Sequence, residues 1–405
     1  MEKRQGMLEF TYMCSPFYQK LMEGENMDIG QLQKDWESVP VVDKSMLTAA
    51  GESVVPFSYY PKKARGELLK EIASGSTGKC LKYLWSREDK ESSIQTIREY
   101  REKWYHIQPH SPFCYFYTIE NQEATEEEYT CVEDGMGIPK KGLNRERIEE
   151  IYERLLCYQP EWIMIAPSVA MLLANYVKEN QKEKIESLKY IELSGEMCSE
   201  EDRDLIQDVF QCLAKRKYGC KEVGTIAYEC PCGKMHIVSE NVYAEICRNG
   251  HNVLDGEEGS IVVTSKWNHV TPFVRYNTDD LGIIRNEKCE CGMEGPVLEV
   301  TRGQKNEWIR RANGEVLHSS EFARIFLHMM YQQDIKVEQY HVIQREYDLF
   351  DVYIVSEGNS EQIISAFRKE VENTLLRDAQ FQFHFQNEKF LANRVDMDCS
   401  FQCAI

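Results

Sequence analysis

No run of this chain is long and apolar enough to cross a bilayer. The most apolar stretch, residues 162–177, is interrupted by Pro167 and Asn175, and a spanning helix needs about 20 apolar residues. Residues 1–17 lack the apolar core of a secretory signal. Positive charge is scarce: 48 Lys and Arg stand against 67 Asp and Glu, a net charge of −19 at pH 7. Such a chain repels nucleic acid and anionic lipid surfaces, so neither nucleic acid nor membrane is an expected partner. Internal repeats and low-complexity linkers are absent as well, which excludes a repeat array.

Cysteine is plentiful, with 15 residues. A disulfide-built secreted protein would be shorter and would carry a signal. The expectation is therefore a cytoplasmic protein with reduced thiols, most of them small buried hydrophobes and a subset available to metal. Apolar residues make up 42% and charged residues 28% of 405, the profile of a soluble globular chain of two or three domains.

After Leu69 strand and helix signals alternate. Residues 81–86 read as a strand, 88–107 as a charged amphipathic helix and 113–118 as an aromatic strand. Residues 119–143 are acidic and glycine-containing and read as a loop. A helix follows over 145–158 with Asn144 as its cap, then a buried strand over 162–166 that Pro167 stops, with Ser168 capping the next helix. A strand over 190–193 leads through a Ser-Gly-Glu turn to a helix capped by Ser199. Strand, turn and helix in repetition predict an α/β fold with a largely parallel sheet, whose ligand sites lie at the carboxyl ends of the strands. After residue 236 short β-rich segments replace helices, and the last hundred residues read as a small α+β unit. The expected organisation is a large domain over 1–302, with mixed, mainly parallel sheets plus a β-rich subdomain, followed by a small mobile domain over 303–405.

Several turns carry chemistry. Ser74-Gly75-Ser76-Thr77-Gly78-Lys79 offers backbone N–H groups, hydroxyls and one ammonium to an anion, without the Walker spacing. Further on stand Tyr218-Gly219-Cys220-Lys221-Glu222, Arg275-Tyr276-Asn277-Thr278-Asp279-Asp280 and Thr301-Arg302-Gly303. A second group is rich in thiols: Cys230-Pro231-Cys232-Gly233-Lys234-Met235-His236 and Cys289-Glu290-Cys291-Gly292. Four soft ligands closing a tetrahedron would suit Zn²⁺; the set expected is Cys230, His236, Cys289 and Cys291, with Cys232 a fifth candidate.

The ordered motifs resemble the adenylate-forming superfamily of acyl-CoA synthetases and adenylation domains, and within it the phenylacetate–CoA ligase-like branch. Ser15-Pro16-Phe17-Tyr18, the segment Val39-Pro40-Val41-Val42-Asp43-Lys44 and the Pro167-Ser168 turn extend the resemblance along nearly the whole chain. It implies that residues 74–79 cradle ATP phosphates, that Tyr218 packs on adenine beside Gly219, that Glu222 helps hold Mg²⁺, and that Asp280 grips the ribose hydroxyls. Lys221 stands where the family has a threonine or serine that touches the α-phosphate. Arg302 falls at the family's domain hinge, where Gln304, Asn306 and Glu307 depart from its pattern. Lys389, in Glu388-Lys389-Phe390, is the counterpart of a C-terminal lysine that stabilises charge during adenylation. Ser194, Gly195 and Glu196, with residues 162–168, are expected at the ligand pocket. Relatives in the branch carry a structural zinc at the two cysteine clusters.

The function this implies is ATP- and Mg²⁺-dependent activation of a small carboxylic acid, aromatic acids fitting the family's habits, to an acyl-adenylate. That adenylate is a mixed anhydride, and transfer to a thiol would follow, either CoA or the phosphopantetheine of a carrier protein. An amine or hydroxyl acceptor, or a relative that binds nucleotide without turnover, are the alternatives. A homodimer is left open.

Overall fold

The computed structural model describes residues 2–24, 30, 36–73, 81–117, 129–132, 134–140, 143, 145–302, 308–313, 316–318, 320–333, 335–337, 339–356, 358–372, 374, 376–386 and 399–403. The chain forms two compact units. One comprises Met1–Gly75, Lys79–His106 and Arg216–Lys305; the other Ser76–Gly78, Ile107–Lys215 and Asn306–Ile405.

The first unit is built on antiparallel strands. Val242–Arg248, Glu258–Ser265, Tyr276–Arg285 and Val297–Arg302 pair in that order, and Met235–Ile237 then links Val297–Arg302 to Gly224–Glu229. A separate hairpin joins Leu69–Ala73 to Leu81–Trp85 in full register. Tyr83, Trp85, Ile226, Val263, Phe273 and Tyr276 are buried together in its core. The helix Arg87–Tyr105 starts where expected, because the Ser86 side chain accepts from the Asp89 N–H.

The second unit holds the parallel part of the fold. Tyr190–Ser194, Trp162–Ile165, Phe113–Tyr117 and Gly135–Pro139 run parallel, with Thr130–Val132 antiparallel at the edge. The helices Arg145–Tyr158 and Pro167–Asn180 pack their apolar faces, from Ile148 to Leu155 and from Val169 to Val177, into one core with these strands. Two strands thus lie within the stretch read as a loop. Their signal is masked by glycine: Phe113 stands opposite Gly135 and Tyr115 opposite Gly137, and each ring occupies the space where a Cβ would be. The α/β class holds, and the sheets are mixed.

One expected cap is replaced. Pro167, not Ser168, opens the helix, and its N-cap, Ala166, supplies no side-chain bond. The Glu196 carboxylate does the capping instead, accepting from the Ser168 N–H at 3.0 Å and from Ser168 Oγ at 2.9 Å. A carboxylate there also meets the positive end of the helix dipole. Asn144 lies outside the described residues. Near the C-terminus Gln380–Gln386, Leu349–Val355, Gln339–Glu346 and Cys399–Cys403 form a four-stranded sheet. Helices Ser320–Gln332 and Ser360–Val371 share with it a core of residues between Ile309 and Leu376.

Candidate active site

The strand Leu213–Cys220 turns sharply into Gly224–Glu229, with a bulge between Tyr218 and Gly219. A Cβ on Gly219 would lie 2.3 Å from the Gly224 carbonyl oxygen, so only glycine allows this close approach. The turn buries Glu222, which is 5% exposed. Tyr276 Oη donates to Glu222 Oε1 at 3.0 Å, and Lys44 Nζ lies 3.4 Å from the same oxygen. Lys44 opens a short helix whose cap is Asp43, accepting from the Met46 N–H. The preceding Val42 bonds both sides of Tyr276: its N–H donates to the Arg275 carbonyl, and its carbonyl accepts from the Asn277 N–H. Buried Arg275 donates in turn to Glu245 and to the carbonyls of Glu37, Val39 and Gly250. The segment 36–44 is thereby strapped to the strand that carries Asp280.

Asp280 is reached from the same turn. Tyr218 Oη donates to Asp280 Oδ2 at 2.6 Å, with Thr278 Oγ1 at 3.4 Å from the phenol. Burial, then the Asp280 charge, drives the Tyr218 phenol well above its ordinary pKa, so it stays a donor. Burial, then the Glu222 charge, with Asp280 a smaller cause, does the same to the Cys220 thiol. The Tyr218–Asp280 bond thus ties the turn that carries Glu222 to the strand that carries Asp280. Lys221 is exposed at the turn.

Residues 74–79 lie outside the described residues. The hairpin strands on either side of them are placed: Tyr83 Oη and Lys90 Nζ both bond Glu71, each at 2.8 Å. Burial raises the Tyr83 phenol, with the Glu71 and Glu222 charges adding to it, and Tyr83 shares one core with Tyr218, Cys220 and Tyr276. In the second unit Ser194 ends a parallel strand, Gly195 adopts φ 93°, and Glu196 holds the Pro167-Ser168 helix start. Arg302 closes the Val297–Arg302 strand opposite Leu281, one residue from Asp280. Lys389 lies outside the described residues.

The two cysteine clusters fold alike. The Gly233 N–H donates to the Cys230 carbonyl and the Gly292 N–H to the Cys289 carbonyl, with φ near 80° at both glycines (82° and 79°). The ligand atoms of Cys230, His236, Cys289 and Cys291 all lie within 4.8 Å of one another. Cys230 Sγ is 3.7 Å from Cys289 Sγ, and His236 Nε2 is 3.3 Å from Cys291 Sγ. Burial, with the Lys234 charge second, lowers the His236 pKa, which keeps the imidazole neutral as a ligand must be. Three thiols and one imidazole at these separations fit a tetrahedral Zn²⁺. Cys232 is exposed.

No family model matches the chain. A phenylacetate–coenzyme A ligase of Thermus thermophilus is 28% identical over 152 residues, 35% of this chain and 34% of that protein. Protein CapK of Staphylococcus aureus is 23% identical over 249 residues, 60% of this chain and 53% of that protein. The chain thus spans about half or less of the length of these relatives. A solved 2-hydroxyisobutyryl-CoA ligase, in complex with 2-HIB-AMP and CoA in the thioesterification state, matches 100% of this chain and 89% of its own. Its TM-score is 0.64 at 18% identity. The fold is that of this CoA ligase.

On this ligase fold three side chains stand at the candidate site that sequence reasoning did not name for it: Lys44, Tyr276 and Cys220. All three lie inside the motifs at 39–44, 218–222 and 275–280, yet a lysine after an aspartate, a cysteine in a turn and a tyrosine in a strand are common. Only the fold shows that Lys44 and Tyr276 reach Glu222.

Proposed function

We propose that this chain activates a small carboxylic acid as an acyl-adenylate with ATP and Mg²⁺, then transfers the acyl group to a thiol. The observation that carries this reading is the pairing of Glu222, held by Tyr276 and Lys44, with Asp280, held by Tyr218, within a ligase fold. Mg²⁺ supplies charge neutralisation on the phosphates, and a hard cation of this kind takes carboxylate oxygens such as those of Glu222. Asp280 accepts the two hydrogen bonds of a ribose diol, with Tyr218 exchanging its bond when sugar enters. A substrate carboxylate oxygen attacks the α-phosphorus and pyrophosphate leaves. The thiol sulfur then attacks the acyl carbon and AMP leaves. Positioning and charge neutralisation do the catalytic work.

The residues 74–79 cradle the phosphates in this reading, and Ser194, Gly195 and Glu196 border the acyl pocket. Lys389 supplies a cation to the adenylation step from a mobile domain that begins at residue 303 after the Arg302 hinge. A self-contained core between Ile309 and Leu376 supports that boundary. Zinc at Cys230, His236, Cys289 and Cys291 is structural, since four protein ligands leave no open position. The work is cytoplasmic, and the acceptor is CoA or a carrier protein's phosphopantetheine.

A second reading rests on Lys221. An exposed lysine replaces the hydroxyl expected at the α-phosphate, which suits a relative that binds nucleotide without turnover. Incubation with ATP, Mg²⁺, a set of carboxylic acids and CoA separates the two. AMP and an acyl-thioester, detected by mass, support the first; nucleotide binding with neither product supports the second.

A further inference from the structure

His236 sits where two demands meet. Its backbone lies mid-ladder, opposite Tyr228 on one side and Val297 on the other, and the residue is 1% exposed. One ring nitrogen, Nε2, faces the thiols. The other, Nδ1, is fully buried and has no hydrogen-bond partner among the described residues. Beside it is Trp104, from the helix Arg87–Tyr105, its ring centre 6.4 Å from the imidazole centre. Trp104 Nε1 is likewise buried without a partner. Its ring stacks on Tyr100 at 4.6 Å and on Tyr228 at 6.0 Å, which fixes the indole in place.

Two orphaned nitrogens on neighbouring rings are informative, because buried polar groups are nearly always bonded. With a metal on Nε2, Nδ1 carries the proton, and the indole nitrogen can only donate. Two donors cannot satisfy each other. They need an oxygen between them with two lone pairs, and two hydrogen bonds in sequence span about 5 Å between the outer atoms. Metal-bound imidazoles regularly direct the second nitrogen at a carbonyl, a carboxylate or a water, and that partner orients the ring. Here the carbonyl of Glu229, a nearby acceptor, is already taken by Tyr105 Oη.

We propose that Trp104 is a positioning residue for the zinc centre, acting through one buried water that accepts from both Trp104 Nε1 and His236 Nδ1. This rests on the zinc reading and adds a residue to it that no cysteine pattern could disclose. It makes the helix Arg87–Tyr105 part of the metal site, since Trp104 ties that helix to the strand Met235–Ile237 through the water. Occupancy of the site then orders the end of the helix as well as the two cysteine turns.

The test is competition between the full-length protein and a chelator for zinc, with Trp104→Phe beside the native chain. Trp104→Phe is expected to bind zinc about 10- to 100-fold more weakly, with the melting temperature of the metal-free protein little changed. Cobalt in place of zinc should still give the bands of a tetrahedral thiolate site, at correspondingly lower affinity. An unchanged zinc affinity, or a fall in metal-free stability with affinity unmoved, overturns the proposal. Should Trp104→Phe fail to fold, a crystal structure of the zinc-loaded native chain decides: a water within hydrogen-bond distance of both nitrogens supports it, and a dry space overturns it. A native chain that takes up no zinc at all removes the metal reading, and this inference with it; zinc uptake with an indifferent Trp104 removes this inference alone.

Discussion

Tyr276 Oη and Glu222 Oε1 meet at 3.0 Å in a buried contact that also receives the Lys44 ammonium. Two donors on one carboxylate oxygen fix its direction. Glu222→Gln keeps the shape and removes the charge. Adenylate formation should fall by about 10²- to 10³-fold, and the response to added Mg²⁺ should flatten. Tyr276→Phe, which only loosens the carboxylate, should cost roughly tenfold, in line with a single hydrogen bond to a charged group. Initial rates across a Mg²⁺ series check both; a Glu222→Gln enzyme with the native Mg²⁺ dependence would remove this carboxylate from the site.

Asp280 and Tyr218 separate binding from turnover. Asp280→Ala loses both acceptors for a diol and should raise the ATP KM by about 10- to 100-fold. Tyr218→Phe removes the 2.6 Å donor but leaves the carboxylate, so its effect on the ATP KM should stay well below that of Asp280→Ala. Deoxynucleotide substrates give an independent reading: the gap between ATP and 2′-deoxy-ATP should close in Asp280→Ala.

Gly219 tests the backbone beneath the site. Because a Cβ would sit 2.3 Å from the Gly224 carbonyl, Gly219→Ala must push the hairpin apart. A destabilisation of about 1–3 kcal/mol is expected, together with lost activity as Glu222 moves. Denaturant unfolding and initial rates measured on the same protein check this; full activity and native stability would show that the turn is looser than drawn.

His269 contributes to the pH behaviour near neutrality. His269 Nδ1 lies 3.2 Å from Asp89 Oδ1, and that hydrogen bond is the leading cause of a raised His269 pKa. A raised folded-state pKa means stability that is complete below the ordinary imidazole value near 6.5 and is lost as pH climbs through the folded value. The stability difference between the native chain and His269→Gln should therefore shrink as pH rises above about 6.5. A difference that grows over that range contradicts the assignment.

Much of this was legible beforehand, and the exceptions have physical causes. The alternation of strand and helix through residues 81–210 announces itself because apolar residues there follow the periods of the elements they occupy. Gly135 and Gly137 hide a strand, since the rings that complete them come from Phe113 and Tyr115 on its neighbour. Ser168 carries the local signature of a cap, but the acceptor at that helix is Glu196, 28 residues on. The thiol pattern points to Cys230, His236, Cys289 and Cys291, and these four do come together; the silent nitrogens of His236 and Trp104 leave no trace in spacing. Lys44 escapes because its partner, Glu222, is remote in the chain and is reached only through the Val42–Tyr276 strap.

Exchange of radiolabelled pyrophosphate into ATP, run without any thiol against a panel of small aliphatic and aromatic carboxylic acids, addresses the first chemical step alone. Acid-dependent exchange that Glu222→Gln and Asp280→Ala both abolish or cripple is the expected result. Nucleotide binding with no exchange for any acid, or exchange that survives both substitutions, would contradict an adenylating site built on these two carboxylates.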